Sequence, residues 1–367
     1  MSKESGRVSH FSHFIHAHFL WFLLGCYAVA SFVPQPGLAL RKVNCGTIHA
    51  FHESVPLSLP TIMLALLLFN AGLGINLSRL KSLVRNPVIL LLGLAANLVV
   101  PLLFILGVSQ GMRIWPDHDE VQSILVGLAL IASMPVAGSS TAWSQNADGD
   151  MALSLGLVLF STILSPLTTP AVLHSVEWMA SGVYSERLHE LASSGTSLFL
   201  TVNVLVPSLA GILLNALIGE KNLARSKPLV KAINSVNLLV LLYSNASVAL
   251  PDVVQNPDFD FLAVMFVIVT ALCATAFFTG WVLSHKLSID RSRRTALMYG
   301  LGMNNNGTGM VLAATALKSF PAVMLPIIFY NLVQHIVAGA VSSLMHEADQ
   351  DETIPSIPGI APVASKA

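Results

Sequence analysis

Two stretches rich in glycine, asparagine and hydroxyl residues interrupt otherwise apolar runs: Pro135-Val-Ala-Gly-Ser-Ser-Thr141 and Gly302-Met-Asn-Asn-Asn-Gly-Thr-Gly309. The first supplies Ser139, Ser140 and Thr141, with Ser144 just beyond; the second supplies Asn304, Asn305, Asn306 and Thr308. None of these side chains is charged, so what they offer is neutral oxygens and amides. Where a helix is interrupted, its free N–H groups carry positive partial charge suited to an anion. The freed carbonyls and side-chain oxygens suit a small cation. Three consecutive asparagines in an apolar setting are costly unless hydrogen-bonded or hydrated. An isolated Ser or Thr reads as a polar helix–helix contact, but the asparagine triplet between glycines reads as a ligand site.

The residues that are missing narrow the chemistry. All nineteen acidic residues fall in loops, tails or the ends of apolar runs, so no buried carboxylate relay is expected. His335 is the sole ionisable side chain near the middle of an apolar run, with Asn331 four residues earlier on the same helical face. Cavity lining and a simple cross-helix hydrogen bond both stay open for it. The series His10, His13, His16 and His18 reads as an interfacial segment rather than a metal tract. Cys26, Cys45 and Cys273 have no metal-type spacing. Asp148 and Asp150 are expected to cap the helix that follows them. No clustered Ser/His/Asp or His/Asp/Glu set is found, so an enzyme is not expected.

These residues must be positioned by membrane spans. Apolar runs near the length of about 20 residues that crosses a bilayer occur at 17–33, 57–75, 87–108, 121–142, 151–174, 196–218, 234–250, 260–284, 294–317 and 321–344. Ala28-Val-Ala30 resembles a signal-peptidase site, but the apolar run continues to Val33 and is read as a retained span. Pro101, Pro166, Pro170 and Pro207 are expected as kinks. Lys and Arg gather after the second, sixth and eighth runs: Arg79, Lys81 and Arg85; Lys221, Arg225, Lys227 and Lys231; Lys286, Arg291, Arg293 and Arg294. With Lys3, Arg7 and Lys366, this distribution predicts cytoplasmic N and C termini and an even number of spans. Ten spans divide into two inverted five-helix repeats, 1–190 and 191–345, followed by a disordered cytoplasmic tail over 346–367. Both interruptions then fall in the fourth span of their half, and paired breaks of this kind mark the site of a secondary transporter.

Composition agrees. Apolar residues make up 54% of the 367 and charged residues only 10%, against about 25% charged in soluble domains; mean hydropathy is +0.71. The chain is an all-α integral membrane protein whose partners are the lipid bilayer and a small-molecule substrate. Its net charge of zero gives no field for nucleic acid, and no protein partner is inferred.

The stretch from Pro135 to Ser154, followed by Ser161-Thr-Ile-Leu-Ser-Pro-Leu-Thr-Thr-Pro170, resembles the bile acid:sodium symporter family. Gly302-Met-Asn-Asn-Asn-Gly307 is similar to that family's Gly-Met-Gln-Asn-Ser-Gly break. Leu73-Gly-Ile-Asn-Leu-Ser-Arg79 and Gln334-His-Ile-Val-Ala-Gly339 are similar to its second-span exit and last span. The resemblance implies a bacterial-type ten-helix member of the inner (plasma) membrane, split into a panel and a core in which broken helices 4 and 9 cross. It implies transport of an organic anion, bile-acid-like or a small carboxylate, by alternating access. No cofactor is implied beyond Na+ as coupling ion. Carried over by position, sodium ligands would be Ser140, Thr141, Ser154 and Asn304 with the carbonyls of Leu301 and Met303. Substrate would meet Gly138, Ser139, Asn305, Asn306, Gly307 and His335. The family's sodium-binding glutamate falls at Gly300, a family threonine at Val158, its span-3 glutamine at Ala96 with Asn97 one place displaced, and its last-span asparagine at Ile336. Sodium-coupled, proton-coupled and uncoupled transport therefore stay open, as does a membrane receptor that binds without translocating.

Overall fold

A computed structural model of the chain describes residues 14, 18–50, 53–75, 87–193, 195–223 and 227–353. Arg79, Lys81, Arg85, Arg225, Lys3, Arg7, Lys366, His10, His13, His16 and the tail from 354 lie outside the described residues.

The described chain is mostly helical. In order, α1 is Phe19–Phe32, α2 Gln35–Lys42, α3 Leu59–Leu73, α4 Pro87–Gly111, α5 His118–Ser133 and α6 Ser139–Asn146. Then come α7 Met151–Glu177, α8 Gly182–Ser193, α9 Thr196–Ile218, α10 Lys227–Ala246, α11 Leu250–Gln255 and α12 Phe259–Lys286. The last three are α13 Arg291–Gly302, α14 Asn306–Ala316 and α15 Met324–Thr353, which continues past residue 345. A helix or an interrupted helix stands at every apolar run predicted from the sequence. Among the described residues, six helices are long and apolar enough to cross a membrane, or seven if α1 and α2, bent by 89°, form one span. The others are shorter or are broken where the polar stretches fall.

Two elements depart from the all-α expectation of uniform spans. Between α2 and α3 the chain forms an antiparallel hairpin, β1 Asn44–Ala50 with β2 Glu53–Ser58, in which Ile48 faces Val55 and His49 faces Ser54. The amphipathic α8 buries Leu188 and Leu191 and lies outside the apolar runs.

Pro101, Pro166 and Pro170 stand inside continuous helices, and in α7 the carbonyls they free find side-chain donors. A proline leaves the carbonyl four residues earlier without its helical donor. In α7, Ser165 Oγ donates to Thr162 O at 2.9 Å below Pro166, and Ser197 Oγ donates to Pro166 O at 2.7 Å below Pro170. In α9 the chain widens into a π turn over Thr201–Leu205, just before Pro207.

Packing falls into two groups. α3 packs on α9 and α10, and α10 on α1. Gly72 and Gly211 make the α3–α9 contact a backbone one, since a Cβ on either would fall on Ser208 O or Phe69 O. The second group holds α4, α5, α7, α12, α13 and α15. At its centre α5 is buried on every face from Val121 to Ser133, whereas α4, α9 and α12 turn Leu91, Leu103, Leu213, Val267 and other large apolar side chains outward. Such all-round apolar surfaces suit a lipid solvent.

Candidate functional site

The chain leaves helical geometry at Met134 for a local reason. A residue before proline is pushed out of the α region, and Met134 takes φ −79° and ψ 145° before Pro135. In the second break Met303 is extended at φ −126° and ψ 111°. The chain turns back into helix when Asn305 Oδ1 accepts from Thr308 N at 3.3 Å, capping α14.

The two breaks are hydrogen-bonded to each other. Val136 and Asn304 pair as an antiparallel bridge, Ala137 N donates to Met303 O at 2.8 Å, and Asn305 N donates to Pro135 O at 2.9 Å. The C-termini of α5 and α13 and the N-termini of α6 and α14 therefore meet at one short backbone ladder. Neighbouring helices satisfy the freed backbone groups. Asn304 Nδ2 donates to Ile131 O at 3.1 Å, Thr169 Oγ1 to Ser133 O at 2.6 Å, and Tyr330 OH to Gly302 O at 3.3 Å. Ser161 Oγ accepts from Val136 N at 3.0 Å. From α15, Gln334 Oε1 accepts from Asn304 N at 3.1 Å, while Gln334 Nε2 donates to Asn331 Oδ1 at 3.3 Å. Asn331 Nδ2 in turn donates to Tyr27 OH at 3.0 Å.

Several polar atoms are left over. Ser140 Oγ, Ser144 Oγ, Ser154 Oγ, Asn304 Oδ1, Thr308 Oγ1 and both side-chain polar atoms of Asn306 are buried without a hydrogen-bond partner. Each such atom costs about 1–3 kcal/mol, so this many on two breaks and their flanking helices fit a place built to receive a ligand.

Of the ligands implied for sodium, Ser140, Ser154 and Asn304 carry such orphan oxygens, and Leu301 and Met303 are buried beside them in sequence. Thr141 is half-buried and its hydroxyl donates to Gly138 O at 2.7 Å. On the substrate side, Gly138 and Ser139 are exposed, Asn305 and Gly307 half-buried and Asn306 buried. His335 is half-buried, its ring edge-on to Phe19 with centroids 5.2 Å apart. Its neighbour Gln334 is the α15 side chain that reaches the break. Sequence reasoning passed over Gln334 and Ser161 as site residues, although both stand inside the quoted motifs. The Gln334–Asn331 spacing of three was the available signal.

Two further positions bear on the ion question. A Cβ added at Gly300 would lie 2.6 Å from Leu157 Cδ1. Leu157 belongs to an apolar cluster with Leu90, Leu94, Leu153 and Leu297. Asn97, by contrast, is buried on α4 with an unpartnered Oδ1.

The helices carrying these groups are anchored at their polar ends. Asp150 Oδ1 caps α7, accepting from Ala152 N and Leu153 N at 2.9 and 3.0 Å. Asp148 caps nothing and sits at φ 54° in the turn. Asp290 Oδ1 accepts from Arg293 N at 3.1 Å and from Ser292 Oγ at 2.8 Å. Arg293 Nε lies 3.4 Å from Asp290 Oδ2 and 3.6 Å from Asp150 Oδ2, joining the two caps. Burial pushes the Asp290 carboxyl upward, but the Ser292 hydroxyl, the Arg293 amide and the Arg293 charge together hold it below the ordinary aspartate value.

Comparison with known proteins gives a consistent picture. Residues 61–256, a little over half of the chain, match the family described as the Sodium Bile acid symporter family. A Bacillus subtilis (strain 168) protein named "Uncharacterized sodium-dependent transporter YocS" is 24% identical over 284 residues, covering 76% of this chain and 81% of its own. A second protein of the same strain, named "Uncharacterized protein YbaS", is 24% identical over 278 residues, covering 75% and 84% respectively.

Proposed function

The chain belongs to the sodium bile acid symporter family, a family of membrane transporters and not of enzymes, and on that premise we propose that it carries a small organic anion across a membrane by alternating access. The observation that carries this reading is the backbone ladder between the two breaks, ringed by buried oxygens without partners. Four helix ends at one point supply positive N-terminal dipoles for an anion and oxygen atoms for a cation. The anion meets the N-termini of α6 and α14 at Gly138, Ser139, Asn306 and Gly307, with Asn305 beside it; His335, expected from the sequence to face substrate, has its ring against Phe19 of α1 instead. Gly138 faces α3, its Cβ position 3.9 Å from Ala71 Cβ. The substrate thus sits between the two packing groups, which move against each other as panel and core.

In the same reading the ten spans form two inverted repeats, 1–190 and 191–345, followed by a tail over 346–367. Both termini are cytoplasmic, and the membrane is a bacterial inner membrane. Sodium is co-transported, ligated by Ser140, Thr141, Ser154, Asn304 and the carbonyls of Leu301 and Met303; the name of one relative supports that coupling. A second reading, proton-coupled or uncoupled transport, is favoured by one observation. Leu157 occupies the space beside Gly300, where the family glutamate would offset the cost of desolvating a cation.

Unfolding temperatures measured across a panel of bile-acid-like and small carboxylate anions, with and without sodium, test both readings, because a ligand of the folded state raises apparent stability. The expected result is an anion whose stabilisation grows with sodium and whose flux into proteoliposomes saturates. Stabilisation indifferent to sodium would favour the second reading. Binding without any flux would leave a receptor.

A further inference from the structure

We propose that His174, Glu177 and His189 form a binding site for a divalent cation of the zinc class, at the polar end of α7 and away from the interrupted helices. His174 and Glu177 are three residues apart on the last turn of α7 and so share a face. The third ligand arrives because the chain reverses at Gly182, whose φ of +56° suits glycine, and α8 folds back along α7. That reversal is fastened on both sides. Ser181 N donates to Gln122 Oε1 at 2.9 Å, His118 Nε2 lies 2.6 Å from Ser181 Oγ, and Ser185 Oγ donates to Glu177 O at 3.2 Å.

The result is a convergent donor set. His174 Nδ1 is 2.9 Å from Glu177 Oε2, His189 Nδ1 is 3.0 Å from Glu177 Oε1, and one donor atom from each residue lies within 4.8 Å of the others. A tetrahedral zinc shell with bonds of about 2.0–2.2 Å separates its donors by roughly 3.4 Å. Each imidazole already stands within a few tenths of an ångström of that separation from one Glu177 oxygen, and the donor atoms of the two imidazoles lie within 4.8 Å of each other. On binding, each imidazole presents the Nδ1 lone pair and keeps its proton on Nε2. For His189, Ser193 Oγ stands 3.4 Å from Nε2, a partner of the kind that fixes the tautomer of a ligating histidine. Two imidazoles and a carboxylate suit zinc, copper or nickel rather than magnesium or calcium. Glu177 and His189 also border a surface cleft of about 710 Å³ lined by Glu186, Arg187 and Glu190, from which solvent can supply a fourth ligand. Arg187 is held by Glu190 at 2.5 Å, which engages its charge beside the site. Metal here would clip α8, the link into α9, onto the end of α7. The site does not depend on the transport reading.

The test uses the full chain, tag removed, with His10, His13, His16 and His18 changed to Ala in every sample so that the N-terminal histidines cannot compete. Zinc alone is the probe. The expected result is one zinc per chain by calorimetry, a raised unfolding temperature, and an intense visible spectrum when Co2+ is substituted, as a four-coordinate site gives. Magnesium should cause no shift. Replacing His174 or His189 by Ala, or Glu177→Gln, should weaken zinc by at least about tenfold, with the double histidine change abolishing it. His174 and His189 are mostly exposed, so these variants should fold, and an unaltered unfolding temperature without metal checks it. Equal zinc affinity in the double variant and its parent would overturn the proposal, as would no zinc-dependent shift at micromolar metal.

Discussion

Asn304 has its amide nitrogen on Gln334 and its Nδ2 on Ile131 O, yet its Oδ1 is buried without a partner. That imbalance separates its structural role from its proposed one. Asn304→Ala should cost about 1–3 kcal/mol, because Ile131 O loses its donor inside the protein. Any sodium-dependent rise in unfolding temperature should disappear with it. A variant that still responds to sodium as the parent does would remove Asn304 from the ion site. Gly300 tests the same question from the other direction. Gly300→Glu alone should destabilise by about 1–3 kcal/mol through crowding against Leu157. Combined with Leu157→Ala, the carboxylate gains room, so the double variant should respond to sodium more strongly than wild type in the same melts. A double variant no more sodium-dependent than wild type would count against an ion near Gly300.

At the scale of elements, α7 and α13 carry Ser154 and Leu301, with Met303 just past the end of α13, and both begin at aspartate caps shared by Arg293. Asp290→Ala should cost about 1 kcal/mol in chemical or thermal unfolding, the ordinary value of an N-cap. The pH dependence follows from the depressed carboxyl. A group whose folded value lies below its unfolded one stabilises above the unfolded value of about 3.9 and loses that contribution as pH falls further. Asp290→Asn can still cap but cannot titrate, so the gap between wild type and this variant should shrink as melts are taken below about pH 4. A constant gap would mean that the Asp290 charge contributes nothing. The breaks themselves were legible at this scale, since proline and consecutive asparagines act on their own backbone. The π turn before Pro207 and the cap at Asp150 rather than Asp148 were not, because several local solutions satisfied the same residues and packing chose among them.

At the scale of the whole molecule, Arg41 joins three distant segments. Its guanidinium reaches Asn245 Oδ1 on α10 at 2.6 Å and Ala314 O near the end of α14 at 2.9 Å. Both acceptors are neutral; α10 belongs to the first packing group, and α14 packs chiefly on α15 of the second. Arg41→Lys keeps the charge but cannot hold two acceptors in a fixed fork. Flux in proteoliposomes should therefore change by several-fold while anion-induced stabilisation stays as in wild type, and unaltered flux would show that this link plays no part in movement. Hydropathy and turn chemistry alone were enough to locate the apolar helices and the polar interruptions, because each is a property of one short segment and its solvent. Only the folded chain decided that Leu157 fills the space at Gly300, that Gln334 rather than His335 touches the break, and that two histidines meet Glu177. Those are contacts between segments far apart in sequence, and close packing, not local preference, determines which side chains meet.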